Sequence, residues 1–407
     1  MKNQNNIFAQ LLIILFLLAF TAYAPKAWAQ KKEISEAKAS LKAQRDYDKV
    51  ESSMEKLLKD SANQTNLKIW NLLYQAVDRQ YAQINEQMYL KQKTDTSKFF
   101  TLSDRLFKVA MRMDSIDALL SADRKGKLMF RDKHAEQLAP LRPNLYKGGI
   151  FFTRKGDYSK AYTMFDAFIA TSSAPLFNKK LKHRNDSLIN DAAYWAVYSG
   201  YMMHNNKAAL HHTYLALKDT VHYKFMLQYL AEIYNNENDT ARYLSTLTEG
   251  FNKYPVFPYF FPHLFSYYSS RSQWNTCLDI TNRALIYQPK DNFCRIAKST
   301  VLLNMNKFDQ SIAICDSLIK EDSTLYMAYY NAGLAYFNEA VALDKYSASS
   351  KSKLMYFYKK ALPYLEKYKQ MRPNDKDKWG LPLYTIYLNL NMGKQFDNID
   401  KILNQNG

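Results

Sequence analysis

LYKGGIFFTRKGDYSKAYTMFDAFIA, residues 145–170, reads as two helices joined by a tight turn, and that reading decides the fold. Gly148 and Gly149 would each weaken a helix interior by about 1 kcal/mol relative to Ala, so something must offset them. A residue without a side chain lets a second helix approach closely, and Ala161 is placed to do the same from the other side. Lys155, Gly156 and Asp157 interrupt the pattern with turn chemistry: Gly accepts φ > 0 at a helix C-terminus, and Asp caps the helix that follows. Tyr158, Ala161, Tyr162, Phe165 and Phe168 then recur at spacings of three and four, an apolar stripe that requires burial.

The unit recurs along the chain. With Gly149 as reference, matching positions fall at Ala196, Ala231, Phe265, Ser299 and Gly333, and the last three intervals are 34 residues each. Pro255 and Pro289, which stop helices, are also 34 apart. The small residue at Gly149, aromatic Phe152, the Gly-Asp-Tyr turn at 156–158, Ala161 and Phe165 resemble the tetratricopeptide repeat (TPR), whose period is about 34 residues. Phe265 departs from the small residue of that pattern.

The resemblance implies an all-α fold, a right-handed superhelical solenoid of antiparallel helix pairs, with a partner segment bound on its concave face. Carried over from the reference position, that face would include Tyr146, Arg154, Asn235, Asn236, Asn304, Tyr330 and Asn338 on the first helices of their repeats. An Asn amide donates and accepts, which suits an extended peptide backbone or a sugar. The same residues read equally as polar faces of ordinary exposed helices.

Working outward, residues 30–120 read as TPR-like helical pairs, with longer helices from about Leu67 to Met113. Residues 121–143 lose periodicity, gain basic charge, Gly126, Pro140 and Pro143, and read as an irregular connector. It either bends a continuous solenoid or separates two parts of one. Residues 144–407 read as the main superhelix. An excess of 13 residues, SSAPLFNKKLKHR, precedes the unit at DAAYWAVYSGYMMHNNKAALHHTYLAL, and about 16 extra residues near 337–362 predict an extended hairpin with SASSKSK as its exposed turn. The last pair, Trp379 to Leu403, reads as a polar-faced cap.

Residues 1–29 carry a basic Lys2, an apolar run from Leu11 to Phe20 and the small-x-small triplet Ala27-Trp28-Ala29, the pattern of a signal peptide cut after Ala29. The run is shorter than the roughly 20 residues that span a bilayer, and no Cys stands near the cut to carry a lipid. The expected location is the periplasm or the exterior. Composition, at 47% hydrophobic and 15% aromatic residues, supports a large apolar core, while ten Gly and eleven Pro are too few for a loop-rich β architecture.

A formal charge of +18 would suggest nucleic acid in the cytoplasm. Behind a signal peptide no nucleic acid is expected. Envelope proteins are the partners the reading favours, with an anionic glycan, wall polymer or membrane surface as the alternative. Lysines are scattered through most repeats, which also fits a plain solvated surface.

Little in the sequence points to catalysis, and no cofactor, metal or catalytic residue is assigned. Cys277, Cys294 and Cys315 lie in apolar helical patterns without metal-ligand spacing; they read as buried thiols, or as one disulfide and one thiol. His204, His211, His212 and His222 cluster loosely but lack the H-E-x-x-H arrangement of a zinc site. Glu232 with Glu237, and Asp316 with Glu321, have no neighbour that would raise a pKa for acid catalysis. Ser-x-x-Lys matches at Ser35, Ser53, Ser317 and Ser350 stand alone, without companion elements. Asp-Ser and Asp-Thr tripeptides beginning at Asp60, Asp114, Asp186, Asp219, Asp239, Asp316 and Asp322 resemble an O-glycosylation sequon, and equally suit helix capping.

Overall fold

The computed structural model describes residues 28–181, 187–344 and 351–404. The apolar run of the expected signal, residues 182–184 of the 13-residue excess, Asp186, and residues 347–350 of the expected serine-lysine turn lie outside the described residues. Every regular element described is helical, so the chain is an all-α protein built of antiparallel TPR-type helix pairs. It forms two compact units, one ending at Met226 and one starting at Leu227.

The first unit contains α1 (residues 28–42), α2 (Tyr47–Leu58), α3 (Leu67–Tyr89), α4 (Thr96–Leu119), α5 (Arg131–Leu138), α6 (Pro143–Arg154), α7 (Tyr158–Ser173), α8 (Asn178–Leu181), α9 (Leu188–Met202), α10 (Asn206–His211), α11 (Thr213–Ala216) and the start of α12 (Tyr223–Asn236). The glycines of α6 act as their setting requires. A Cβ on Gly149 would lie 2.5 Å from ring atoms of Phe165, and that ring is fully buried, a burial that stabilises by about 2–3 kcal/mol.

The turn between α6 and α7 closes with the backbone N–H of Asp157 donating to Phe152 O at 3.0 Å while Gly156 takes φ 73°. Asp157 then caps α7 by accepting the Lys160 N–H. This six-residue closure with a left-handed residue is the Schellman end of a helix, and it recurs. Left-handed His204, Asn238, Ser272 and Asn306 stand 34 residues apart, with closing bonds Asn205 N–H to Gly200 O, Asp239 to Tyr234, Gln273 to Tyr268, and Lys307 to Leu302, all within 2.8–3.0 Å. The turns place Val197, one residue beyond Ala196, in the position equivalent to Gly149.

The second unit continues through α13 (Thr240–Lys253), α14 (Phe260–Ser269), α15 (Trp274–Tyr287), α16 (Asn292–Asn304), α17 (Phe308–Glu321), α18 (Tyr326–Asp344), α19 (Lys351–Met371), α20 (Lys376–Asn389) and α21 (Gly393–Asn404). α18 and α19 are longer than their neighbours, at 19 and 21 residues against 13 and 14 for α16 and α17. Their core is aromatic, with Tyr358, Tyr368 and Trp379 nearly or wholly buried. Cys277, Cys294 and Cys315 are buried and unpaired. Burial pushes the Cys315 thiol up to about 11, and burial with neighbouring Asp291 pushes Cys294 to about 12, so both stay protonated and poorly nucleophilic at neutral pH.

Two segments differ in detail from their sequence reading. The second helix of the 191–217 unit is broken at His212, between α10 and α11. Residues 121–143, read as irregular, carry the short helix α5 and are fastened to α3 and α4. Arg131 forms a bidentate pair with Asp114 at 2.8 Å, and Gln137 joins the Tyr74 hydroxyl to the Asp78 carboxylate. His134 stacks on Tyr74 with ring centroids 4.0 Å apart.

Burial, with Lys133 beside it, pushes the His134 imidazole down to about 4 from its usual 6.5. The unfolded chain therefore takes up a proton that the folded chain refuses, and stability falls as pH drops from 6.5 toward 4. We expect this acid slope to be shallower in His134→Phe, measured by urea unfolding between pH 7 and 4; equal slopes would remove His134 as its source.

Candidate partner-binding surfaces

The seven residues expected on a concave face occupy different settings. Tyr146 of α6 is half-buried, its ring against Phe165 and Phe168 at 5.9 and 5.7 Å. Its hydroxyl donates to Asp191 of α9; burial first, then that bond, raises its pKa. Asp191 Oδ1 also lies 3.6 Å from His222 Nδ1, which pairs with Asp219 Oδ2 at 2.7 Å, while Tyr194 stacks flat on the imidazole at 4.0 Å. Tyr146 is thus tied into a polar cluster of the first unit. Arg154 ends α6 exposed.

In the second unit, Asn235 and Asn236 are exposed at the end of α12. Asn304 spends its amide N–H on Thr300 O of its own helix, at 2.8 Å. Tyr330 packs on Tyr368 at 4.9 Å in the aromatic core, and Asn338 is half-buried. Among the described residues no hydrogen bond or ring contact joins any two of the seven. The asparagine held most firmly is one the register did not select: Asn331 is buried and donates to the Ser299 and Thr300 hydroxyls at 2.8 and 2.9 Å, knitting α18 to α16.

Two concave features lie in the second unit. A polar cleft of about 360 Å³ is lined by Asn235, Tyr243, His263, Ser266, Tyr267 and Arg271, among others. The Arg271 guanidinium sits 3.7 Å over the Tyr267 ring, which fixes a cation and an aromatic face together. An apolar groove of about 440 Å³ is lined by Phe265, Phe293, Ile296, Ala297, Leu325 and Tyr326, among others. Phe293 is 51% exposed and Tyr326 38%; Phe293 meets Phe261 edge-on at 5.9 Å and the Arg372 guanidinium stands 5.0 Å over the Tyr326 ring.

The large residue at 265, a departure from the repeat pattern, is thus a wall of this groove. The groove draws on the starts and middles of α14, α16 and α18, whereas the asparagines selected by register mostly sit in last turns. The exposed aromatic at Phe293 could have been noticed from its place in the first turn of α16, just after the cap Asp291.

Groups considered for other chemistry have local partners. Glu321 is held at about 2 by Arg295 and then Ser317, and Asp316 accepts the Tyr364 hydroxyl at 2.7 Å. Of the Asp-Ser/Thr tripeptides, Asp60, Asp219, Asp239 and Asp322 each accept a nearby backbone N–H at a helix start or turn. No helix among the described residues is long and apolar enough to cross a membrane.

No protein-family model and no curated protein matches the sequence. Solved structures that resemble the chain include the P58(IPK) TPR domain (12% identity, TM-score 0.29, 89% of this chain and 98% of that one) and yeast Tom70 (11%, 0.33, 89% and 82%). The Cut9–Hcn1 hetero-tetramer of APC/C is a third (13%, 0.25, 92% and 79%). The fold assignment rests on the chain's own hairpins and their 34-residue turns.

Proposed function

We propose that the protein is a non-enzymatic binding scaffold that holds a segment of a partner protein in the apolar groove of its second unit. The observation that carries this is the pair of exposed aromatics, Phe293 and Tyr326, beside Phe265 and Ile296 on successive first helices. A partner segment with apolar side chains would cover them, and each large ring so buried contributes on the order of 2 kcal/mol or more when it acts as an anchor. The polar cleft at Asn235 and Arg271 supplies amide and cationic contacts for the same or a neighbouring segment. With the signal pattern of residues 1–29, the partner is an envelope protein and the scaffold works in the periplasm or outside the cell.

The polar cleft also favours a second reading, since Tyr and Asn side chains around a 360 Å³ hollow suit a sugar. Cross-linking in living cells followed by mass spectrometry separates the two. We expect one protein partner to be captured, and Phe293→Asp to reduce capture at least about tenfold with the fold intact, because Phe293 is half exposed. Capture unchanged by Phe293→Asp sinks the groove assignment; adducts of glycan alone would move the site to the cleft.

A further inference from the structure

We propose that Asp166, His211 and His212 form a zinc(II) site where α7 meets the end of α10. The helix break described above is the starting observation. On a regular helix consecutive side chains point about 100° apart, so neighbours in sequence do not face one another. Adjacent rings on the unbroken helices of this chain, such as Phe151 with Phe152, stand 5.2 Å apart.

Here α10 ends at His211, α11 begins at Thr213, and His212 stands between them at φ −106°, ψ 14°. The two imidazole rings lie closer still, 4.4 Å apart, centroid to centroid. One ligand atom from each ring and one carboxylate oxygen of Asp166 all fall within 4.8 Å of one another.

The spacing and the donors suit zinc. Zinc–nitrogen and zinc–oxygen bonds of about 2.0–2.2 Å set tetrahedral ligand atoms about 3.3–3.5 Å apart. His212 Nε2 and Asp166 Oδ1 stand 2.8 Å apart, so the two side chains must part by about 0.5–0.7 Å to seat an ion between them. Two imidazoles and one carboxylate form a set that favours zinc over magnesium or calcium, which prefer oxygen ligands. The His212 side chain is 10% exposed and fixed, whereas His211 is exposed and has no hydrogen-bond partner among the described residues. The buried ligand sets the geometry, and the exposed one leaves an entry path and a fourth position for water.

The Asp191, Asp219 and His222 cluster also brings ligand-type atoms together, but its groups are already used. Asp219 Oδ1 accepts the Val221 N–H and its Oδ2 pairs with His222, while Asp191 holds the Tyr146 hydroxyl. All three members of that cluster are paired, whereas at Asp166 only His212 is, and His211 is left without a hydrogen-bond partner among the described residues. A zinc ion at Asp166, by contrast, would brace the broken helix against α7.

Tag-free protein, dialysed against chelator, is titrated with zinc chloride by calorimetry. We expect one zinc per chain, with binding weakened at least about tenfold in His211→Ala and in Asp166→Asn and unchanged in His222→Ala. His211 is exposed, so its variant keeps the fold, which circular dichroism verifies. Wild-type binding in His211→Ala, loss of binding in His222→Ala, or absence of a stoichiometric site in the wild type would each overturn the proposal.

Discussion

Replacing Asp117 with Ala is expected to lower stability by about 3 kcal/mol or more, the scale at which a buried ion pair is broken from one side. The carboxylate is completely buried and serves three donors. Oδ1 pairs with the Arg124 guanidinium at 2.7 Å, and Oδ2 accepts the backbone N–H groups of Met129 and Phe130 at 2.7 and 3.1 Å. Alanine leaves two peptide donors without their acceptor and takes the counter-charge from Arg124, which keeps only the carbonyls of Leu120 and residue 117. Arg124 is partly exposed and regains some water, which sets the estimate at the lower end of the 3–5 kcal/mol range.

Asp117→Asn keeps one acceptor oxygen and should lose less. Denaturant unfolding measures the loss, and limited proteolysis between residues 124 and 130 should reveal the freed segment. A loss under about 1 kcal/mol with no new cleavage would show that Asp117 does not fasten the connector.

The other large effect expected is at Gly200. A Cβ there would lie 2.7 Å from Ala209 Cα and 2.8 Å from the Ala208 carbonyl carbon. These are backbone atoms of α10, which cannot rotate aside as a side chain can. Gly200→Ala should therefore cost about 3 kcal/mol, the top of the usual range for overpacking, by forcing α9 and α10 apart. Gly393, with nothing within 4 Å of a built Cβ, is the control: Gly393→Ala should be neutral or slightly stabilising. Thermal unfolding of both variants tests the contrast, and equal midpoints would mean that α10 shifts freely.

The fold was legible in the sequence because its determinants are local. Helical period, Gly156-Asp157 turn chemistry and the 34-residue spacing are all properties of short segments, and so was the excess length that becomes α18 and α19. What stayed hidden depends on distant residues. The helix break at His212 involves Asp166, 46 residues away. The order of the connector comes from Asp114 and Asp117 on α4, to which a segment reader assigns only an ordinary helix.

The candidate site was legible only in outline. Register placed Tyr146 on a face of its helix without knowing that Asp191 waits 45 residues later to receive its hydroxyl. It likewise selected asparagines by position, while burial made Asn331 the structural one. Phe293 was overlooked because an aromatic beside an apolar stripe is assumed to join the core.

The repeated turn has a consequence for how such a chain can change over generations. The same left-handed slot is filled by Gly156, His204, Asn238, Ser272 and Asn306. What persists is a backbone conformation and its closing bond, and a non-glycine residue there costs roughly 1–2 kcal/mol, less for Asn. Each substitution is individually tolerable, so the letters of the motif can change one repeat at a time while the closing bond, and from His204 to Asn306 the 34-residue spacing, stay the same. In this chain the meter of the turns is held, and the vocabulary is free to wander.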